Sequence, residues 1–551
     1  MGRKTRILKK PLNLDDVKKS KLKEDGSKTR RAVSEIEAKG EDALADVYIS
    51  ADLEDNFAKI EEIFKDCFDV VKRRFTLGGG RVKCLIVYMQ GMAGRDEIRE
   101  SILKPLEIGG NGAKEDFAPG DAGFIRKIKE AMLDSAEIEE APTFKEAVKM
   151  VLAGNSVLFI DGYPTTISIN TKKWETRTVD TPQIQMSVRG PQEAFVEDLQ
   201  VNLSHIRRRI KTPDLKAEKF EIGRLSKTAV VVAYVKGLAS EGTVKEVKER
   251  LGKIDTDMVI ESGYIEHFIE DETFSPFPQM YVTERPDICA GSLAEGRIAI
   301  IVDTSPFVLI VPVTFWDFLT AGEDYYSKFY FASFVRMLRY VCLAVTMLFP
   351  SLYIAVTTFH QETIPTPLLV NIARARAEVP FPAVIEALLM EVTFEILREA
   401  GIRLPKPIGP SITIAGSIVI GQGVVQAGIV SQTMVIIVAI TAIASFAIPA
   451  FNAAMSVRLM RFFFMIAAAT LGIFGIIMGI LALLIHMSSL RSAGVPYLSP
   501  FAPLSAKDLK DTFIMAPVKF MLTRPLFIQR SNAVRMDKAA KPGTRKQGGA
   551  G

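Results

Sequence analysis

Residues 407–457 have the sequence PIGPSITIAGSIVIGQGVVQAGIVSQTMVIIVAITAIASFAIPAFNAAMSV, which contains no Asp, Glu, Lys or Arg. About 20 consecutive apolar residues are enough for a helix to cross a bilayer. The uncharged run is therefore long enough for two crossings joined by a tight turn. It predicts a membrane protein.

The rest of the chain is divided between two kinds of composition. The 551 residues are 48% hydrophobic, with a mean hydropathy of +0.18, because a charged region over 1–330 is averaged with an apolar region over 331–490. A length of this kind suggests several structural units. The sequence thus predicts a soluble region followed by a membrane region.

Catalytic and metal-binding signals are weak. The four cysteines include no CxxC pair, and the four histidines are dispersed, so neither a disulfide framework nor a metal site is indicated. The chain contains no P-loop, HExxH or GxSxG motif. We predict that the protein is not an enzyme and has no catalytic residues, cofactor or metal.

The charged region contains an internal repeat. Two pairs of segments share the positions of strand, glycine and aspartate: CLIVYMQGMAG (84–94) with AVVVAYVKGLAS (229–240), and VLFIDGYPTTISI (157–169) with AIIVDTSPFVLIV (299–311). Gly91 and Gly237 are 146 residues apart, and Asp161 and Asp303 are 142 apart. Similar offsets indicate a duplication, which predicts two related α/β lobes.

Two local predictions accompany the repeat. Apolar residues at spacings of three and four predict a helix over 44–75. Residues 298–319 are apolar enough for a membrane span, but Asp303, Pro306 and Pro312 fit such a helix poorly. The repeat favours a soluble β-hairpin there instead.

We predict an α/β cytoplasmic region of two related lobes, followed by an all-α polytopic membrane domain. The predicted spans are about 334–358, 411–430, 433–453 and 460–487. An even number of crossings and basic flanks at both ends place both termini in the cytoplasm. The predicted domains are a basic disordered arm (1–40), a first lobe with a connecting helix (41–215), a second lobe (216–325), the membrane domain (326–490) and a basic tail (491–551).

A further helix, predicted at 381–400, carries a stripe of carboxylates. Glu391, Glu395 and Glu399 follow one another at intervals of four residues and therefore share a face. One interpretation is an amphipathic helix on the membrane surface. The other is a re-entrant helix or gate whose carboxylates face water in a pore mouth, as carboxylate rings do in cation pathways.

The second predicted span combines glycines with amides. Four glycines suggest close helix packing: Gly416, Gly421, Gly423 and Gly428. Gln422 and Gln426 lie one turn apart and must face other helices or water, because lipid cannot satisfy an amide. Pro350 predicts a kink and a hinge in the first span. The candidate pore or gate residues are Gln422, Gln426, Glu386, Glu391, Glu395 and Pro350.

Both termini are rich in lysine and arginine. Residues 1–31 are basic and polar and have no apolar signal-peptide core. Basic side chains near a membrane surface attract anionic headgroups. We expect contact with anionic lipid and no nucleic-acid partner.

Several longer motifs together resemble the A-subunit family of spore germinant receptors, the GerA family, over about residues 40–530. They are RGPQEAFVEDLQVNLSHIRRRIKTPDLK (189–216), SPFVLIVP (305–312), DYYSKFYFASFVRMLRY (324–340), IPTPLL (364–369), PFPAVIEALLMEVTFEILREAGIRLP (380–405) and GPSITIAGSIVIGQ (409–422). A close relative associated with the spore dipicolinate channel has similar motifs.

The resemblance implies a multi-pass protein of the spore inner membrane that helps to convert nutrient sensing into cation release and germination. It implies a nutrient-binding, transporter-like B subunit and a C-subunit lipoprotein as partners. It also implies a homo-oligomer, a pentamer, acting as a ligand-gated ion channel. The alternatives are a non-conducting scaffold subunit of the receptor or of the dipicolinate-channel complex, and a secondary transporter.

Overall fold

The computed structural model describes residues 47–77, 82–104, 126, 137–173, 181–403, 419–506, 508–525, 527–528 and 532–535. They form two compact units. One contains the first lobe. The other contains the second lobe, a helix bundle and the described residues from Leu490 onward, which we call the C-terminal segment.

The first lobe is an antiparallel sheet with helices packed on it. Its elements are α1 Leu53–Ile63, β1 Val70–Leu77, β2 Val82–Met89, α2 Arg95–Ile98 (continued by a π-helix, Arg99–Leu103), β3 Ile138–Ala141, α3 Phe144–Leu152, β4 Ser156–Ile160 and β5 Thr166–Ile169. The strand order is β1-β2-β4-β5-β3.

The second lobe repeats this architecture. Its elements are α4 Leu199–Arg209, β6 Leu215–Ile222, β7 Thr228–Val235, α5 Glu241–Leu251, α6 Ser262–Ile269, β8 Tyr281–Thr283, α7 Pro286–Ala294, β9 Ile298–Val302 and β10 Val308–Val311. The order β6-β7-β9-β10-β8 is that of the first lobe with each strand number raised by five. Residues 298–311 therefore form a β-hairpin, as predicted, with Ile301 opposite Val308.

Equivalent side chains make equivalent hydrogen bonds in the two lobes. Asn56 accepts from the Ser50 N–H and donates to its carbonyl, and Asn202 does the same with Val196. Asp52 and Asp198 each cap the following helix, because an N-cap carboxylate satisfies N–H groups that the first turn leaves unpaired. The duplication is thus visible in geometry as well as in sequence.

Two predicted boundaries differ from the structure. The predicted helix 44–75 ends at Ile63, since Asp66 has a φ of 62° and residues from Val70 onward pair in the sheet. The boundary predicted at 215/216 lies too far along the chain. Helix α4 packs into the core of the second lobe through Leu199, Leu203 and Ile206.

The apolar region is a bundle of helices: α8 Phe329–Thr358, α9 Thr366–Ala377, α10 Ala383–Arg403, α11 Val424–Gln426 (preceded by a π-helix, Val419–Gly423), α12 Gln432–Ser445 and α13 Phe451–Ser489. Among the described residues, α8 and α13 are long and apolar enough to cross a membrane. Residues 404–418, and with them Gly416, lie outside the described residues.

Helix α13 is a hairpin of two antiparallel legs. Gly472 has φ 62° and ψ −141°, which is not helical. A Cβ on Gly475 would lie 2.1 Å from the Ala467 carbonyl oxygen, and one on Gly479 would lie 2.8 Å from the Phe464 ring. Such contacts require the chain to fold back. The predicted single span 460–487 is therefore divided between the two legs of α13, residues 451–471 and 473–489, which are about 30 Å and 25 Å long at 1.5 Å per residue.

Helices α10 and α12 lie parallel inside the same bundle. Near their starts the Ser431 N–H and hydroxyl donate to Glu386, and near their ends Arg398 donates to Ser445. The predicted surface or re-entrant helix 381–400 is thus a packed bundle helix. The predicted span 433–453 is not one helix, since α12 ends at Ser445 and α13 begins after Pro449.

One hydrophobic core joins the second lobe to the bundle. Alternate residues of β7 face opposite sides of the sheet: Val230 and Val232 face a cluster with α5 and α6, whereas Val231 and Ala233 face a cluster with α4 and α7. The latter cluster continues into the lobe-side ends of both α13 legs and into the C-terminal segment. The bundle contributes Ile448, Ala454, Val457 and Met487 to it, and the C-terminal segment contributes Tyr497.

Candidate functional site

The second lobe holds the helix hairpin through the segment SPFPQ, residues 275–279. The Ser275 hydroxyl lies 3.0 Å from Nε2 of His486 on the second leg. The Ser456 hydroxyl on the first leg donates to the Pro276 carbonyl. Consecutive residues of one loop therefore hold both legs of α13.

The same segment binds the chain that leaves the hairpin. The Tyr497 hydroxyl donates to the Pro278 carbonyl at 2.7 Å, and the Ser492 hydroxyl donates to the Gln279 carbonyl at 2.6 Å. Two prolines fix φ in this segment, and the carbonyls of Pro276, Pro278 and Gln279 accept hydrogen bonds from side chains of α13 and of the chain that follows it. We name residues 275–279 the coupling segment.

Phe277 anchors the coupling segment in the core. It is buried, and its ring contacts Phe315 edge-on at a centroid distance of 6.3 Å and lies 6.4 Å from the His486 ring. Aromatic pairs at such distances add to the stabilisation from area burial alone. A displacement of the coupling segment must therefore disturb the lobe core and the hairpin together.

An ion-pair network fixes the start of α8. The Asp324 carboxylate accepts from Arg336 at 3.1 Å and from Arg339 at 2.7 Å, and Arg336 also contacts Asp511 at 2.7 Å. Asp324 and Arg336 are fully buried. Buried charges are tolerated when paired, so these contacts tie the first bundle helix to the C-terminal segment.

A second ion pair stiffens the lobe beside this network. Arg297 donates to both oxygens of Asp317 at 2.8 and 2.9 Å. Burial raises the pKa of Asp317, but the guanidinium and hydrogen bonds from Thr314 outweigh burial and leave that pKa below its ordinary value. The pair is therefore charged at neutral pH.

Two of the predicted pore-mouth glutamates are buried inside the protomer. Glu386 accepts from the Ser431 N–H at 3.1 Å and hydroxyl at 2.8 Å, and Arg376 lies 3.4 Å away. Glu391 pairs with Arg461 at 2.8 Å. A carboxylate leaves water only with such partners. The structure thus differs from the predicted stripe facing water.

Glu395 is the centre of an arginine cluster. Its carboxylate lies 3.1 Å from Arg461, 3.5 Å from Arg458 and 3.7 Å from Arg398. Glu399, the next member of the predicted stripe, is exposed. The glutamates of α10 do share one face of the helix. That face contacts arginines of α13 that lie more than 60 residues later in the chain.

The predicted amides face outward. Gln422 and Gln426 are exposed on the surface of the chain. A Cβ added to Gly421 or Gly423 would meet nothing within 4 Å. These two glycines therefore do not pack against another helix among the described residues. Gly428 has a φ of 64° and ends this helical segment.

The remaining site residues are placed as follows. Pro350 is buried inside the continuous helix α8. The glycines that allow close helix packing are Gly475 and Gly479, between the legs of α13. A clue in the sequence was the series Gly472, Gly475, Gly479.

In the described residues, no group of three or more His, Cys, Asp or Glu side chains could hold a metal.

The family match and two similar proteins all point to spore germination proteins. The Bacillus/Clostridium GerA spore germination protein family matches residues 58–527. Spore germination protein KA of Bacillus subtilis is 46% identical over 90% of this chain and 90% of its own length. Spore germination protein A1 of the same organism is 38% identical over 88% of this chain and 97% of its own length.

Two further similarities come from a membrane protein and a solved structure. The uncharacterized membrane protein YfkQ of Bacillus subtilis is 42% identical over 90% of this chain and 94% of its own length. The N-terminal domain of the A subunit of the Bacillus megaterium spore germinant receptor GerK3 is 35% identical, with a TM-score of 0.39, covering 49% of this chain and 97% of that one. The chain belongs to the GerA family of spore germination proteins.

Proposed function

We propose that this chain is the A-type subunit of a spore germinant receptor and forms an oligomeric, ligand-gated cation channel. The single observation that supports a channel most directly is the outward exposure of Gln422 and Gln426. An amide that faced lipid would lack hydrogen-bond partners. This surface therefore meets water or a second copy of the chain, and a ring of copies supplies both.

The glycines beside these amides support the oligomer. Gly421 and Gly423 present backbone to open space in the single protomer. Small residues at a helix surface allow another helix to approach closely. We propose a ring, a pentamer by family resemblance, in which this segment lines or borders the pore.

We propose a topology with both termini on the cytoplasmic side of the spore inner membrane. The start of α8 and the C-terminal segment are joined by the Arg336–Asp511 pair, and both legs of α13 end at the coupling segment. These contacts put the lobe-side ends of the helices at one level. The basic flanks favour the cytoplasm for that level.

Gating is proposed to act through the coupling segment. Nutrient binding at a transporter-like B subunit, with a C-subunit lipoprotein as the third partner, favours one position of the lobes. A ligand shifts a conformational equilibrium only by its difference in affinity for the two states. Because residues 275–279 hold both hairpin legs, a lobe movement of this kind displaces the hairpin.

A non-conducting scaffold, in the receptor or in the dipicolinate-channel complex, is the second candidate. The observation that favours it is the burial of Glu386 and Glu391 in ion pairs, which leaves these carboxylates unavailable to a cation path. Reconstitution decides between the two. A channel gives nutrient-dependent cation flux from liposomes that contain this chain together with its B and C subunits, and Gln422→Glu raises its cation selectivity. A scaffold gives flux equal to that of empty liposomes.

A further inference from the structure

A cavity of about 470 Å³ lies where the second lobe meets the lobe-side ends of α10, α12 and α13. Among the described residues that line it, the cations are four arginines and the only carboxylate is Glu323. The arginines are Arg285, Arg339, Arg398 and Arg458. The wall of the cavity is therefore suited to an anion.

Two of these arginines are already neutralised. Arg285 donates to both oxygens of Asp287 at 3.0 and 2.7 Å. Arg339 donates to Asp324 at 2.7 Å. Paired and hydrogen-bonded in this way, they contribute shape to the cavity rather than free charge.

Arg398 and Arg458 have weaker partners. Arg398 donates to the neutral Ser445 hydroxyl at 2.8 Å, and its contact with Glu395 is 3.7 Å long. Arg458 reaches the same carboxylate at 3.5 Å, and its buried Nε has no hydrogen-bond partner. A buried N–H group without a partner is costly.

The local charge count shows the same excess. Arg461 takes the nearer position on Glu395, at 3.1 Å, and also pairs with Glu391. Three guanidinium groups of α10 and α13 thus share two carboxylates. One positive charge at the cavity is left without a matching negative charge on these helices.

The rim of the cavity is apolar. Ile184, Met186, Phe446 and Phe451 line it and are exposed. They lie at the end of a bundle that contains helices apolar enough to cross a membrane. A ligand that fits this arrangement has an anionic head for the arginines and an apolar part for the rim.

We propose that this cavity binds the phosphate of an anionic phospholipid, with Arg398 and Arg458 as the headgroup ligands. Guanidinium groups match phosphate oxygens in geometry and charge, and the cytoplasmic leaflet is where anionic lipid accumulates near basic side chains. The proposal rests on the proposed topology, because it requires the bundle to lie in a membrane with its lobe-side end at the cytoplasmic leaflet. It does not require the chain to conduct ions, so a failed flux measurement leaves it intact.

The test is native mass spectrometry of the full-length protein released from nanodiscs of phosphatidylglycerol and phosphatidylcholine. The wild type retains one phosphatidylglycerol per chain in preference to phosphatidylcholine. Arg398→Gln and Arg458→Gln lower that occupancy at least tenfold. Arg403→Gln is the matched control, because Arg403 lies on the same helix as Arg398 but is exposed and paired with Glu399, and it retains lipid like the wild type.

A second variant keeps the test decisive if loss of an arginine unfolds the protein. Ala447 lines the cavity and is half-buried, so Ala447→Trp fills the cavity without changing charge and also lowers occupancy. Added inorganic phosphate distinguishes a free anion from a lipid: full displacement of phosphatidylglycerol at millimolar phosphate overturns the lipid assignment. Equal retention by the wild type, Arg458→Gln and Ala447→Trp overturns the site.

Discussion

Arg461 and Glu391 form a buried ion pair between α13 and α10, with 2.8 Å between Nη1 and Oε2 and no more than 2% of either side chain exposed. The pair joins two helices of the bundle at a depth where an unpaired charge is strongly disfavoured. It therefore specifies how these helices pack, whatever its net contribution to stability.

Removal of one partner of this pair should be severe. Arg461→Met leaves Glu391 buried without its cation, and a broken buried pair costs about 3–5 kcal/mol. We expect a large fall in the thermal unfolding temperature of the purified protein in detergent. The double variant Glu391→Met with Arg461→Met should regain most of the lost unfolding temperature, because both charges have been removed.

The exposed pair Arg403–Glu399 on the same helix is the control. Arg403→Met should change stability by less than about 1 kcal/mol, since solvent screens exposed pairs. If Arg461→Met and Arg403→Met reduce stability equally, the Arg461–Glu391 pair is not buried as described.

The hairpin turn gives a second prediction. Gly472 has a φ of 62°, and a Cβ there would lie 3.1 Å from Phe359 and His360. Gly472→Ala should therefore destabilise the protein by roughly 1–3 kcal/mol, measured by thermal unfolding. Gly421→Ala, which adds a methyl group where nothing lies within 4 Å, should leave unfolding of the protomer unchanged. If Gly472→Ala leaves the unfolding temperature unchanged, the chain does not fold back at this residue.

The coupling segment gives a third prediction. Tyr497→Phe removes the hydrogen bond to the Pro278 carbonyl and keeps the buried ring, so it should cost about 1 kcal/mol. It should also alter the nutrient dose needed for germination of spores carrying the variant. Tyr330→Phe, at an exposed ring, serves as the control. An unchanged nutrient response together with the expected loss of stability would limit the segment to a structural role.

A fourth prediction concerns pH. Burial, with the nearby charges of Glu270 and Glu261, raises the pKa of Glu266 in the second lobe to about 7. The folded protein therefore binds a proton more tightly than the unfolded chain, and stability falls as pH rises from about 4.5 to about 7. The loss is about 1–2 kcal/mol after allowance for partial exposure.

Glu266→Gln should remove this component. Unfolding temperatures measured from pH 5 to pH 8 should fall less for the variant than for the wild type, and the variant should be the more stable of the two at pH 8. Parallel curves for the two proteins would show that Glu266 titrates normally.

The repeat was predictable from sequence because its markers are local. Asp161 with Gly162, and Asp303 with Thr304, follow apolar strands at a nearly constant offset, and the structure gives both turns a positive φ at the second residue. Family membership was predictable for a similar reason, since long motifs occur in order along one chain. The confirmed predictions thus depend on patterns contained within short stretches.

The bundle was less predictable because its decisive contacts are distant in sequence. Glu391 shows a helical period but gives no indication that Arg461, 70 residues later, neutralises it. Apolar stretches without charges also give few sequence signals of a turn: Gly472 marks one reversal of the chain, and Pro449 precedes the helix that begins after the other. Hydropathy predicts which stretches are apolar, but the ends of the helices depend on how they pack against one another.

The most direct test of the channel proposal is thiol modification of Gln422→Cys during nutrient-triggered cation flux from liposomes that contain the chain with its B and C subunits, in a Cys342→Ala background because the other native cysteines of the chain are buried. If Gln422 lines a water-filled pore, a charged methanethiosulfonate reagent should change the flux severalfold. The same reagent should have no effect on Ile443→Cys, an exposed apolar position of α12. Flux that is absent in all proteins, or equally insensitive at both positions, would contradict a pore lined by Gln422.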